Sequence, residues 1–251
     1  MGGDRPVGLY CFAHAGAGVS CFRSWRAVAG PGVRVVPVQL PGRQERRRQP
    51  RLCDRSGVLA ELLDPLLRAA DQGPYALYGH SLGALVAYTL ARELARSAAR
   101  PPVLVAVGAC VPPDARTALL EAADAPDGDL AALLGTVGGL PRAAGEAPGS
   151  LWHRRVLPVL RDDLRLAADL RRAAVTAHSG GPLPVPLLSL AGRSDSLVDP
   201  RQAAGWSRWT TSAFNTAVVP GDHFFVRGPH APALVARACT RTATATAAAR
   251  R

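Results

Sequence analysis

The chain alternates between short apolar runs and longer stretches in which apolar positions recur every three to four residues. Runs at 7–12, 33–38, 75–79, 103–107, 186–191 and 215–219 are rich in Val, Leu and Ala and nearly free of charge, as buried strands are. Helical periods at 56–71, 84–98, 200–209 and 229–238 separate many of them. Strands alternating with helices predict an α/β protein with a mostly parallel central sheet flanked by helices. The stretch 114–179 departs from this rhythm. It has helical patterning, no convincing strand, and Gly- and Pro-rich breaks at 135–141 and 145–149. The expectation is a core formed by 1–113 and 180–238 and an inserted lid of several short helices at 114–179. Lids exclude water and shape a pocket. The Ala/Thr/Arg run that closes the chain predicts a disordered tail at 239–251.

At the third strand the pattern acquires chemistry. Gly79-His80-Ser81-Leu82-Gly83 is a G-x-S-x-G element between the run ending at Tyr78 and the helical period that follows. Such a serine sits on a sharp strand-to-helix turn with its hydroxyl lifted clear of the backbone. The glycines fit a turn with no room for a Cβ. The first helical N–H groups, starting with that of Leu82, point at whatever lies over the serine. With 12 serines and about one-tenth glycine, chance alone gives roughly 0.1 such matches, so context must discriminate.

A nucleophilic serine needs a histidine base and a carboxylate to orient it, following here in the order serine, acid, histidine. Asp195 lies in the turn after the run 186–191, and His223 follows the run 215–219. Both therefore fall at the carboxyl ends of predicted strands, where open α/β sheets build their sites. Asp199 precedes Pro200 and a helical stretch, so it reads as a helix N-cap. Asp222 adjoins His223 and reads as a turn residue. His80 lies inside the turn itself, and His153, His178 and His230 lack a strand-end setting. His14 follows the first strand and is either a turn histidine or a shaper of the loop there.

At 251 residues and 26.2 kDa the chain suits one sizeable domain, and its 48% hydrophobic content argues against disorder. The longest apolar segment, 103–111, is far too short to cross a bilayer, and the amino terminus carries no signal-peptide pattern. A cytoplasmic protein with no membrane association is expected. Five cysteines without C-x-x-C spacing support neither a disulfide framework nor a zinc site. Thirty Lys+Arg against nineteen Asp+Glu give a net charge of +11, which favours acidic partners. No helix-turn-helix, RNP or zinc-finger pattern accompanies that charge, so nucleic acid is not expected. The densest basic run, Arg43 to Arg48, is either a solvated loop or a contact for a phosphate or an acidic protein.

Taken together, these motifs resemble the type II thioesterases of polyketide and nonribosomal peptide assembly lines, within the α/β-hydrolase superfamily. The resemblance spans all but the tail. It is carried by Cys11-Phe12-Ala13-His14-Ala15-Gly16, Gln39-Leu40-Pro41-Gly42-Arg43 with Arg46, the Ser81 element with Ala84, Leu157-Pro158-Val159-Leu160-Arg161-Asp162-Asp163, the Asp195 turn and Gly221-Asp222-His223-Phe224-Phe225. The chain departs from the family pattern at Asp222 and at Ala168-Asp169-Leu170. The resemblance implies an α/β-hydrolase fold and a Ser81–His223–Asp195 triad. It also implies an oxyanion hole made by the backbone N–H groups of Ala15 and Leu82. The implied activity is hydrolysis, through an acyl-serine, of acyl thioesters on the phosphopantetheine arm of acidic carrier proteins. No bound cofactor or metal is implied, and a monomer is expected. A carboxylesterase or lipase, or a standalone acyltransferase or cyclase, would use the same triad.

Overall fold

The computed structural model describes residues 5–97, 100–117, 125–136, 150, 152–178 and 180–249. Six strands form one sheet: β1 (Val7–Phe12), β2 (Val33–Pro37), β3 (Tyr75–His80), β4 (Leu104–Gly108), β5 (Leu187–Gly192) and β6 (Phe214–Val219). Their order is β2-β1-β3-β4-β5-β6 and every neighbouring pair is parallel. All six apolar runs thus become strands, with ends moved by a residue. Alternate residues of each strand serve opposite faces. Leu77, Val105, Val107 and Leu187 join one apolar cluster, whereas Ala76, Tyr78, Leu104, Ala106 and Leu188 join the other. A sheet buried on both faces needs side chains that are apolar throughout, which is why these strands read as continuous runs.

Among the described residues, five helices run for two turns or more. Helix α1 (Arg55–Gln72) opens on Asp54, whose carboxylate accepts the Gly57 N–H at 2.8 Å, and buries Val58, Leu62, Leu66 and Ala69. Helix α2 (Leu82–Arg96) follows Ser81 directly and is buried along most of its length. Within the stretch expected to be a lid, the described residues hold α3 (Asp127–Thr136), a π-helical turn (Trp152–Val156) and α4 (Leu157–His178). The predicted breaks fall largely outside the described residues. Helix α4 is a single element of 22 residues rather than several short ones. Its later half packs Leu166, Ala167, Leu170 and Ala174 into the same cluster as α2, while Leu157, Leu160 and Leu164 meet Leu130 of α3.

Helix α5 (His230–Ala248) corrects the expected disordered tail. The helix continues because Cys239 is fully buried against the sheet and alanine dominates the sequence. Thr242 and Thr246 also return their hydroxyls to the carbonyls four residues back, each at 2.8 Å. The region 200–209 is a one-turn helix, Pro200–Ala203, and then a 3-10 segment, Ala204–Trp209. No helix among the described residues is long and apolar enough to cross a membrane.

Candidate active site

Ser81 is placed by the sheet and by two glycines. Its φ of 54° and ψ of −116° are outside the regions L-residues favour, a cost of roughly 1–3 kcal/mol that surrounding structure must impose. The imposition is visible. The Ser81 N–H donates to the Gly108 carbonyl at the end of β4, at 2.8 Å. A Cβ on Gly79 would collide with the Gly83 carbonyl, and one on Gly83 would collide with the Phe12 carbonyl of β1. Strand β3, the start of α2 and the end of β1 therefore touch through backbone alone.

Asp195 and His223 follow β5 and β6, and the parallel register brings both to Ser81. His223 Nδ1 lies 2.9 Å from Asp195 Oδ2, and Nε2 lies 3.2 Å from Ser81 Oγ. A carboxylate accepts, so Nδ1–H donates to it and Nε2 is left to accept the serine O–H. Asp195 is itself fixed, its Oδ1 accepting the N–H groups of Leu197 at 2.9 Å and Val198 at 3.2 Å. The competing aspartates do other work. Asp199 caps the one-turn helix by accepting the Arg201 N–H at 2.6 Å. Asp222 accepts the Phe224 N–H at 2.8 Å within the turn.

Two further histidines pack around the three side chains Ser81, His223 and Asp195. His80 is fully buried, with Nε2 at 2.7 Å from the His223 carbonyl and Nδ1 at 2.8 Å from the Tyr78 hydroxyl. Burial holds its pKa well below the usual range, so the ring is neutral. The carbonyl can only accept, which puts the proton on Nε2 and leaves Nδ1 to accept from Tyr78. His80 thus tethers the backbone of His223, a role its position inside the turn did not disclose. His14 is pulled down to about 4, chiefly by burial, and its Nδ1–H donates to the Ala15 carbonyl at 3.0 Å. Of its two readings, the structure favours shaping the loop.

That loop faces Ser81 from the other side. Ala15, Ser81, Leu82 and His223 line one apolar cavity of about 50 Å³, closed by Leu85, Leu164 and Val198. Leu82 is the first residue of α2, so its N–H has no partner within that helix. Ala15 also borders an open cleft of about 1000 Å³ whose wall includes Arg23, Arg47, Arg155 and Arg227 and no carboxylate. The basic run 43–48 divides accordingly. Arg43 is buried against Asp163, and Arg46 pairs with Glu61 at 2.6 Å and donates to the Gln39 carbonyl at 3.0 Å. Arg43 and Arg47 of the run both border the cleft, but Arg43 is held by Asp163 whereas Arg47 is exposed.

Asp163 stood in the sequence only at the end of the run 157–163, with no role given to it. The signal was present: a carboxylate on the apolar face of a helix, in step with Leu157, Leu160, Leu164 and Leu170. Among the described residues no three His, Cys, Asp or Glu side chains converge as a metal site would require.

The chain has relatives of known kind. The family described as thioesterase domain matches residues 8–242. A probable cadicidin biosynthesis thioesterase of Streptomyces griseus is 34% identical over 227 residues. That alignment takes in 88% of this chain, and the chain spans 58% of that protein's length. The solved structure of the RedJ thioesterase from the prodiginine biosynthetic pathway in Streptomyces coelicolor superposes with a TM-score of 0.79 at 32% identity, covering 93% of this chain and 90% of RedJ. YbtT, a type II thioesterase from the yersiniabactin NRPS/PKS biosynthetic pathway, gives 0.81 at 25% identity, covering 96% of each chain.

Proposed function

Since the chain belongs to the thioesterase domain family and has its α/β-hydrolase fold, we propose that it is an editing (type II) thioesterase of polyketide or nonribosomal peptide biosynthesis. Its substrates are acyl groups held as thioesters on the phosphopantetheine arm of carrier proteins. The observation that carries this reading is the hydrogen-bonded chain Ser81–His223–Asp195 at the edge of an apolar cavity.

His223 Nε2 takes the Ser81 proton as Oγ attacks the thioester carbonyl, and Asp195 stabilises the imidazolium. The backbone N–H groups of Ala15 and Leu82 receive the tetrahedral oxyanion; loss of one such donor typically costs about 10²–10³ in rate. The C–S bond breaks, the pantetheine thiol leaves with the proton from His223, and the acyl group stays on Ser81. Water then gives its proton to His223, adds to the acyl carbon and releases a carboxylic acid as Ser81 recovers its proton. No metal or resident cofactor enters this sequence, since the pantetheine arrives with the carrier.

The open cleft supports the choice of partner. Besides Arg43, which Asp163 holds, Arg23, Arg47, Arg155 and Arg227 line it with no carboxylate among its described residues, which suits the phosphodiester of the arm and an acidic carrier surface. Incubating the enzyme with a panel of acyl-loaded carrier proteins, read by intact mass, tests the reading. Loss of the acyl mass with release of a linear acid is expected, at a KM that rises with salt. Faster turnover of p-nitrophenyl esters than of acyl carriers, or a salt-independent KM, would overturn it.

A further inference from the structure

Asp163 has no exposed surface, yet it sits on the apolar face of α4 between Leu160 and Leu164. Its two oxygens go to different places. Oδ2 accepts the Gly16 N–H at 2.6 Å, and Oδ1 pairs with Arg43 Nη2. The second arm of Arg43, also buried, donates Nη1–H to the Ala17 carbonyl at 3.0 Å. One ion pair therefore holds the loop after β1 by an N–H and by a carbonyl one residue apart.

The bonds around Ala15 complete the picture. The His14 carbonyl accepts the Ala17 N–H at 3.1 Å, and the Ala15 carbonyl accepts His14 Nδ1–H at 3.0 Å. Gly16 turns the chain with a φ of +73°, and its N–H belongs to Asp163. The peptide groups around Ala15 are thus anchored, while Ala15 borders the cavity beside Ser81. Stability alone is a weak reason for such a pair. Burying two charges costs about what their attraction returns, and apolar replacements of similar volume are often as stable.

We propose that Arg43 and Asp163 are positioning residues that preset the Ala15 N–H for the oxyanion, so that α4 sets the geometry of the transition state as well as covering the site. The inference rests on the reading of Ser81 as nucleophile and Ala15 as oxyanion donor. It predicts that losing the pair weakens transition-state binding rather than substrate binding. A preorganised donor works because no reorganisation is needed at the moment of reaction.

The deciding variant is Arg43→Met combined with Asp163→Leu, which removes both charges and leaves no buried ion unpaired. Turnover of a short acyl N-acetylcysteamine thioester, thermal unfolding and affinity for a trifluoromethyl ketone that forms a tetrahedral adduct with serine are measured. The expected result is a melting temperature near wild type, kcat lower by about 10–100-fold, KM within about threefold, and adduct affinity falling in step with kcat. A folded double variant with wild-type kcat and adduct affinity overturns the proposal. If the double variant does not fold, Arg43→Lys decides. Its single ammonium keeps the charge but cannot span both Asp163 and the Ala17 carbonyl, so a smaller parallel loss in kcat and adduct affinity is expected, and none would overturn the proposal. Absence of any turnover by the wild-type enzyme, on thioester or ester, would instead count against the reading of the site itself.

Discussion

The two sides of the site are held together by different means. On one side Ser81, Asp195 and His223 follow directly from β3, β5 and β6, and backbone contact at Gly79, Gly83 and Phe12 fixes the turn. On the other, the Ala15 loop is shaped by side chains from a distance: His14 beside it, Arg43 from the loop after β2, and Asp163 from α4. The first arrangement is set by backbone contact with the sheet. The second depends on how α4 sits, so chemistry that needs the loop also needs the helix above it.

The largest expected effect separates the two contributions. Ser81→Ala should lower thioester hydrolysis by about 10⁴–10⁶ while leaving circular dichroism unchanged. What survives, roughly 10³–10⁴ over the uncatalysed rate, is the contribution of the loop side and of binding. Turnover near wild type would place the nucleophile elsewhere and dissolve the comparison.

Next in size is the acid. Asp195→Asn should cost about 10⁴ in kcat, because the amide presents an N–H to His223 Nδ1 and stabilises the wrong tautomer. Asp199→Asn should leave kcat within a few-fold, since Asp199 only caps a helix and Asn caps equally well. Reversal of these two outcomes in steady-state assays would move the acid to Asp199.

Glycine substitutions read the difference as stability. Gly83→Ala drives a Cβ into the Phe12 carbonyl, a backbone atom that cannot step aside, so a loss of about 3 kcal/mol or more, or failure to fold, is expected. Gly16→Ala meets nothing within 4 Å and pays only for its positive φ, about 1–2 kcal/mol. Urea unfolding of both variants gives the ranking. Equal costs would mean that the loop is packed as tightly as the turn.

How much of this was legible in the sequence follows the same division. The six strands and the meeting of Ser81, Asp195 and His223 could be read because each signal is local: an uninterrupted apolar run, two glycines about a serine, an acid and a histidine at strand ends. The bond between Arg43 and Asp163 joins residues 120 apart, and no local period encodes a partner at that distance. The basic run 43–48 looked like one surface feature, yet the fold takes Arg43 inward and leaves Arg47 at the cleft. Residues 239–248 misled for a related reason. Their Ala/Thr/Arg composition reads as a frayed end, and burial of Cys239 against a sheet formed far upstream is a contact that no local pattern announces.

The last expected effect is in the pH dependence of stability, and it distinguishes the two sides by whether opposing groups cancel. His80, on the strand side, is held well below its ordinary pKa by burial, so it stays neutral when folded and takes a proton near pH 6.5 when unfolded. The stability it supplies is whole above that pH and is lost as pH falls. His14, on the loop side, behaves alike down to its folded value of about 4, a loss on the order of 2 kcal/mol between pH 7 and 5. Asp163 runs the other way. Burial raises it to about 6 from 3.8, against the pull of Arg43 and the Gly16 N–H, so the folded state takes a proton first and gains stability as pH falls from 6 towards 4. The loop side therefore partly cancels itself, whereas the strand side does not. Urea unfolding at pH 7 and pH 5 should show the wild-type protein less stable at pH 5, His80→Gln with a much flatter dependence, and His14→Gln uncovering the opposing slope of Asp163. A His80→Gln variant that keeps the full wild-type slope would show that the acid sensitivity arises outside the strand side.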